Sequence, residues 1–226
     1  MQRILTTEDY IDALIAAGIF KLAKDDNEDN WFKLKAGGKS PIFWNVKEIQ
    51  DDPKLLKTTV AFMNKRLKQA GVKFDKVVPI PDGANVIGAW LGYKADKAII
   101  TVPKDEKDHG ADAGRKYIGK IVPGHKIVLA EDVSTTSLSA VQMVEKVRKF
   151  GLSDEEIAAG KLNLVKVEAV ASVINREQGS TENLAAIGVK LVSVVNQMDA
   201  IKHAISTDNP MYGVVMRYLE QNVKKK

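Results

Sequence analysis

Five short apolar-rich runs recur along the chain, at 77–80, 98–102, 127–130, 165–174 and 189–195. Each has the length of a strand. Runs that are apolar on consecutive residues, rather than on alternate ones, suit strands buried on both faces. Helix-like spacing fills the intervals at 84–92 and 138–150, and two more such stretches, 197–206 and 210–222, follow the last run. Strands alternating with helices predict an α/β fold, a mainly parallel central sheet flanked by helices. In such sheets ligands bind at the carboxyl ends of the strands.

The 226 residues, 45% hydrophobic, are enough for one good core and few for two. No apolar run reaches the roughly 18 residues of a membrane span. The opening MQRILTTEDYIDAL has no signal-peptide apolar block, so cytoplasm is the expected compartment. With no cysteine, disulfide and thiolate chemistry are excluded. The net charge of +5 favours anionic partners mildly. The basic residues are scattered rather than striped, which argues against nucleic acid.

The N-terminal part is shorter-ranged. Thr6-Thr-Glu-Asp9 reads as a capping box, with Ile11, Leu14, Ile15 and Ile19 at helical spacing behind it. Residues 25–30 form an acidic loop. The stretch from Trp31 to Asn45 reads as a hairpin with a Gly37-Gly38 turn. Asp52-Pro53 starts a helix that keeps Leu55, Leu56, Thr59, Met63 and Leu67 on one face and stops at Gly71.

One strand end stands out: KIVLAEDVSTTSLS, residues 126–139, passes from apolar residues to two acids and then to a hydroxyl-rich run. The turn into the next helix presents free backbone N–H groups, which suit a phosphate, and the hydroxyls add donors. Glu131 and Asp132 suit a sugar diol, or a divalent cation held indirectly. Together they ask for a phosphorylated sugar. The plainer reading of these residues is a strand end followed by a helix cap.

EDVSTTSLS resembles the phosphoribosyl-pyrophosphate motif of type I phosphoribosyltransferases, and three more segments narrow the resemblance to the orotate phosphoribosyltransferase family. Residues 32–45, FKLKAGGKSPIFWN, resemble its N-terminal segment. Residues 104–110, KDEKDHG, resemble its mobile catalytic loop, and residues 175–179, NREQG, its "D-R-x-x-G" strand end. All four come in the family's order. The resemblance implies one phosphoribosyltransferase domain, with hood elements over about 1–50 and a core over about 51–226. It implies transfer of the phosphoribosyl group from 5-phosphoribosyl 1-pyrophosphate (PRPP) to orotate in pyrimidine (UMP) biosynthesis, with Mg²⁺ as cofactor. It also implies a homodimer whose subunits share the catalytic loop.

By the same resemblance Lys104, Lys107 and His109 close over the pyrophosphate, and Asp132 is counted with them as catalytic. Glu131 and Asp132 hold the ribose hydroxyls. Ser134, Thr135, Thr136, Ser137, Leu138 and Ser139 hold the 5′-phosphate, with Thr135 also touching orotate. Lys35, the backbone around Phe43 and Trp44, and Arg176 form the orotate pocket. Asp82 takes a water on Mg²⁺. No compact set of protein metal ligands is expected, since Mg²⁺ keeps waters and phosphate oxygens. Taken singly, these residues have ordinary alternatives: solvated lysines, a surface His109, Arg176 paired with Glu177 or Asp154, aromatic hairpin packing.

Four positions depart from the family pattern. Pro103 stands where an Arg usually precedes the loop lysine, and Ser137 where the hydroxyl loop carries Gly. Gly38 stands where many members place Arg, and Pro81-Asp82-Gly83-Ala84 occupies the pyrophosphate loop. The orotate-side residues are kept. Two other functions fit the same residues: a non-catalytic protein that binds PRPP or a nucleotide, and a transferase for another base. Residues 152–164 read as a helical insertion without an assigned role.

Overall fold

The computed structural model describes residues 6–34, 37–103 and 116–222. Its centre is a five-stranded sheet of β5 (Lys76–Pro79), β6 (Ala98–Ile99), β7 (Lys126–Ser134), β8 (Lys166–Asn175) and β9 (Lys190–Asn196), in the order β6-β5-β7-β8-β9. Every pairing is parallel. Alternate residues point to opposite faces, so each strand feeds two cores. Val128 and Ala130 of β7 join Ala169 and Ala171 of β8 in one core; Ile127 and Leu129 join Val167 and Val170 in the other. The first is covered by α2 (Pro53–Gln69), α3 (Asn85–Ala95), α7 (Gln197–Ala204) and α8 (Pro210–Asn222). The second is covered by α4 (Leu138–Val147) and α6 (Ser180–Ala185). That is the doubly covered parallel sheet expected from the apolar runs.

The chain runs from β5 outward to β6, then crosses back to put β7 on β5's other side. The order therefore reverses between β5 and β7. There the loops after two adjoining strands diverge and leave a crevice, the usual ligand position in such sheets.

The differences from expectation have local causes. The run at 98–102 yields only Ala98–Ile99 in the sheet; Thr101 bridges instead to Ile118. β7 does not stop at Ala130 but stays paired with β8 through Glu131↔Ser172, Val133↔Ile174 and Ser134↔Asn175. The acids are thus on a strand, not beyond it. At the N-terminus, α1 (Thr7–Ala16) has the capping box, Thr6 and Asp9 each accepting the other's backbone N–H. It ends before Ile19, which is buried in the turn into β1 (Phe20–Leu22).

The segment from Trp31 to Asn45 is not one hairpin. β2 (Phe32–Lys33) pairs with β3 (Lys39–Ser40), but β4 (Ile42–Trp44) leaves them and pairs with β1. Pro41 sits at the break, where its carbonyl accepts the Ala23 N–H while its ring nitrogen has nothing to donate. The turn uses Gly37 and Gly38 at φ +90° and +76°. An Arg at position 38 would be strained in that conformation, which accounts for the Gly there. The insertion holds a short helix, α5 (Asp154–Ala158), with a Ser153/Glu156 capping box.

Candidate active site

The carboxyl ends of β7, β8 and β9 lie side by side, because Ser134 pairs with Asn175 and Asn175 with Asn196. On the other flank the Ile80 N–H donates to the Ala130 carbonyl, so the loop after β5 starts alongside the acids of β7. Its Pro81–Asp82 peptide is cis. A Cβ on Gly83 would overlap the Asp132 carboxylate. Only glycine admits that approach, and it brings the 81–84 segment onto the acid that sequence singled out.

Asp132 is half-buried against this loop and Glu131 is turned inward, 6% exposed. Glu131 accepts a hydrogen bond from the Ser134 hydroxyl. Burial pushes its carboxyl up to about 7, the Ser134 hydrogen bond opposes this, and the neighbouring Asp132 charge adds to it. Of the expected diol pair, therefore, Asp132 is the more open acid, and Ser134 is occupied with Glu131.

Past Ser134 the chain turns through Thr135 and Thr136 into α4. Ser137 takes the left-handed conformation, φ +56°, that a Gly would adopt there. It gives α4 no side-chain cap, and its hydroxyl is buried with no partner among the described residues. The carbonyl of Thr136 is held by the Asn183 amide of α6 at 2.8 Å. Leu138 and Ser139 are exposed at the helix start. The result is a fixed turn with free first-turn N–H groups and an unanswered hydroxyl, the chemistry of an anion cradle.

Arg176 follows β8 directly. Its backbone N–H donates to the Ser134 carbonyl at 2.8 Å, locking it beside the cradle. It pairs with neither carboxylate considered from sequence: Asp154 meets Lys116, and Glu177 accepts the Met198 N–H at the start of α7. Instead the Arg176 Nε donates to the Gln197 Oε1 at 3.3 Å, while one terminal nitrogen is buried without a partner among the described residues. A buried donor left open costs about 1–3 kcal/mol. The same Gln197 oxygen accepts the Trp44 indole N–H at 3.1 Å. Trp44 packs on Phe20 and Phe43 on Phe32, with centroids 4.8 and 5.6 Å apart. Their rings are hood packing, as the plainer reading held, which leaves their backbone for a ligand.

Asp132, Arg176, the 81–84 loop, the Ser137 turn and Trp44 are thus drawn to one end of the sheet. Lys35, Lys104, Lys107 and His109 lie outside the described residues. Asp82 is exposed in its loop. Strand-end reasoning passed over Gln197, although Asn196-Gln197 follows an apolar run just as Glu131-Asp132 and Arg176 do. Among the described residues no three His, Asp or Glu side chains gather as metal ligands. Two open clefts lie elsewhere. One, of about 390 Å³, is at the amino ends of β7 and β8, beside the 152–164 insertion; the other, of about 540 Å³, lies between the hood and α8.

No family model matches the chain. In sequence it is 27% identical over 197 residues to the orotate phosphoribosyltransferase of Pyrococcus abyssi, spanning 87% of this chain and 96% of that protein. The crystal structure of the Aeropyrum pernix orotate phosphoribosyltransferase superposes with a TM-score of 0.64 at 20% identity, over 86% of this chain and 97% of that one. The Mycobacterium tuberculosis orotate phosphoribosyltransferase, in complex with PRPP, superposes with a TM-score of 0.58 at 17% identity, over 86% and 98%. The fold is theirs, and by sequence over most of its length the chain is a relative of the orotate phosphoribosyltransferases, as its four ordered segments implied.

Proposed function

We propose that the chain transfers the phosphoribosyl group of PRPP to orotate, giving orotidine 5′-monophosphate and pyrophosphate, a step of pyrimidine (UMP) biosynthesis. The observation that carries this reading is the convergence at one sheet end of Asp132, packed on Gly83, with Arg176, tied to Ser134. Hood and core then act as one catalytic domain.

The residues divide the work along the strand ends. Asp132 accepts from the ribose hydroxyls, and Glu131 supports it from behind. The Thr135–Ser139 turn takes the 5′-phosphate, with the Ser137 hydroxyl and the first N–H groups of α4 as donors. Arg176, Lys35 and the Phe43–Trp44 backbone receive orotate. The guanidinium's unmatched N–H meets an oxygen of the base, which removes the cost of leaving it open. As the C1′–pyrophosphate bond breaks, positive charge develops on the ribose ring and the departing oxygen gains negative charge. The protein's task is to align orotate for attack at C1′, neutralise the leaving anion and exclude water. Lys104, Lys107 and His109 supply that neutralisation, from a loop shared across a homodimer.

Mg²⁺ fits this donor set. Asp132 and Asp82 are acids at a phosphate-binding end, suited to touching the waters of an ion held mostly by pyrophosphate oxygens. When bound, the ion would offset the pyrophosphate charge. Cytoplasm is the proposed compartment.

The test follows orotate absorbance in the ultraviolet with PRPP and Mg²⁺ present. Orotate loss that requires both, and that collapses in Lys107→Ala without loss of fold, is the expected result. No loss at high concentrations of folded protein rejects the transfer. Tight PRPP binding without turnover would replace it with the non-catalytic function.

A further inference from the structure

We infer that Gln197 is a positioning residue for recognition of the base: it aims the Arg176 guanidinium and fixes hood strand β4 against the strand ends. The inference rests on the reading above, in which Arg176 receives orotate.

Gln197 is 0% exposed, at the junction of β9 and α7. Its amide is nearly used up within the protein. The oxygen has two lone pairs, and it accepts from Arg176 Nε at 3.3 Å and from Trp44 Nε1 at 3.1 Å. The nitrogen donates to the Arg176 carbonyl at 3.3 Å. Arg176 is therefore held at three points: backbone N–H by Ser134, carbonyl and Nε by Gln197. A guanidinium is planar, so fixing Nε fixes the direction of its far N–H groups. One terminal nitrogen is buried and unmatched among the described residues. The clamp holds one edge of the fork and leaves the other for a ligand.

The amide's neutrality matters as much as its geometry. A carboxylate at 197 would pair with the guanidinium, consume its charge, and be unable to donate to the Arg176 carbonyl. Among the described residues no carboxylate pairs with Arg176. Gln197 thus leaves the cation's charge available, which selects an anionic base over a neutral one of the same ring. Through Trp44 the same oxygen ties β4, 153 residues distant in sequence, to that cation.

The experiment compares wild type, Gln197→Glu and Gln197→Met as purified, folded proteins. It measures KM for orotate, KM for PRPP, kcat, and inhibition by uracil, which lacks orotate's carboxylate. The expected result for Gln197→Glu is an orotate KM raised about tenfold or more, the worth of one charge-assisted hydrogen bond. Its PRPP KM should stay within about twofold, and the preference for orotate over uracil should shrink. Gln197→Met, which removes the clamp without adding charge, should raise the orotate KM with less loss of that preference. If the Glu variant does not fold, the Met variant alone decides through the split between the two KM values. An unchanged orotate KM, or both KM values rising together, overturns the inference. Wild-type protein that neither converts nor binds orotate overturns the underlying reading instead, so the two failures are distinguishable.

Discussion

The two ends of the central sheet are built from the same strands to different standards. At the amino end, most buried polar groups are answered by neighbours. Asn163 donates to the Val147 and Phe150 carbonyls, both at 2.8 Å, and accepts the Val165 N–H. Asp75 accepts the Lys126 N–H, and His125 accepts the Val122 N–H. Glu168 faces Lys126 through Oε1 and Lys166 through Oε2, and its buried Oε1 accepts no hydrogen bond among the described residues. Positive φ in the turns there falls on Gly124, Gly151 and Gly160 and on one non-glycine, Asp96, just before β6. At the carboxyl end, Ser137 and Glu177 take positive φ without being glycine. Ser137 Oγ and an Arg176 nitrogen are buried and open among the described residues, and Glu131 carries a carboxyl in the core. Broken local rules are denser at the carboxyl end, where Ser137, Glu177, Arg176 and Glu131 depart together, against Asp96 and Glu168 at the amino end. The denser end is where a site is expected, because such costs persist only when the surrounding fold holds them or a ligand offsets them.

The largest effect should come from Asp132→Asn. It removes a charge presented to the ligand and leaves a near-isosteric side chain against Gly83. The expectation is a fall of about 10²–10³-fold in kcat/KM, the scale of losing one electrostatic contact to the transition state, with the melting temperature near that of wild type. A destabilised but active variant would make this end structural and erase the contrast.

Glu131 sharpens the contrast through pH. Its folded value of about 7 stands above the ordinary 4.5, so between those values the folded protein keeps a proton that the unfolded chain releases. Its contribution to stability is fully present below about pH 4.5 and is lost as pH rises through about 7. The difference is about 3 kcal/mol from the shift itself. Glu131→Gln keeps the shape and an acceptor for Ser134 but cannot ionise. Urea unfolding at pH 5 and pH 8 should show wild type losing stability across the interval and the variant losing less. Equal losses would mean that Glu131 does not govern this window.

At the opposite end, Asn163→Ala removes three hydrogen bonds that close the insertion onto the sheet. It should cost about 2–3 kcal/mol, or roughly 5–10 °C in a domain of this size, with kcat and both KM values unchanged below the melting range. Impaired catalysis would show that the two ends are coupled.

The same asymmetry decides what could be read from the chain. The sheet was legible because β7, β8 and β9 are long and apolar on both faces, which periodicity reports directly. The acids, Arg176 and the Ser137 turn were legible as polar residues at strand ends. The hood was not. Its β1 and β4 are three residues each, paired only because the chain folds back at Pro41 and Trp44 finds Gln197. Nothing local marks FKL as a strand; tertiary contact makes it one. The inward turn of Glu131 was hidden for a related reason: sequence gives the acid's place on the strand but not that Ser134, three residues on, closes over it. Gln197 escaped because an amide after an apolar run carries no charge to draw attention to it.

Ser137→Gly probes the smallest difference between the two ends and separates strain from ligand binding. A serine at φ +56° bears about 1–2 kcal/mol of left-handed strain, and its open buried hydroxyl adds more. Glycine removes both but gives the unfolded chain more freedom, returning about 0.4–1 kcal/mol. The net expectation is a gain of about 1 kcal/mol, seen as a rise of roughly 2–4 °C in melting temperature. If the hydroxyl serves the 5′-phosphate, the same change raises the KM for PRPP and leaves that for orotate alone. Ser137→Ala should show the second effect with a smaller first one, because alanine keeps the strain and loses only the buried hydroxyl. A glycine variant that melts higher and binds PRPP as well as wild type would assign Ser137 to tolerated strain alone, and the cradle would then rest on the backbone N–H groups of α4.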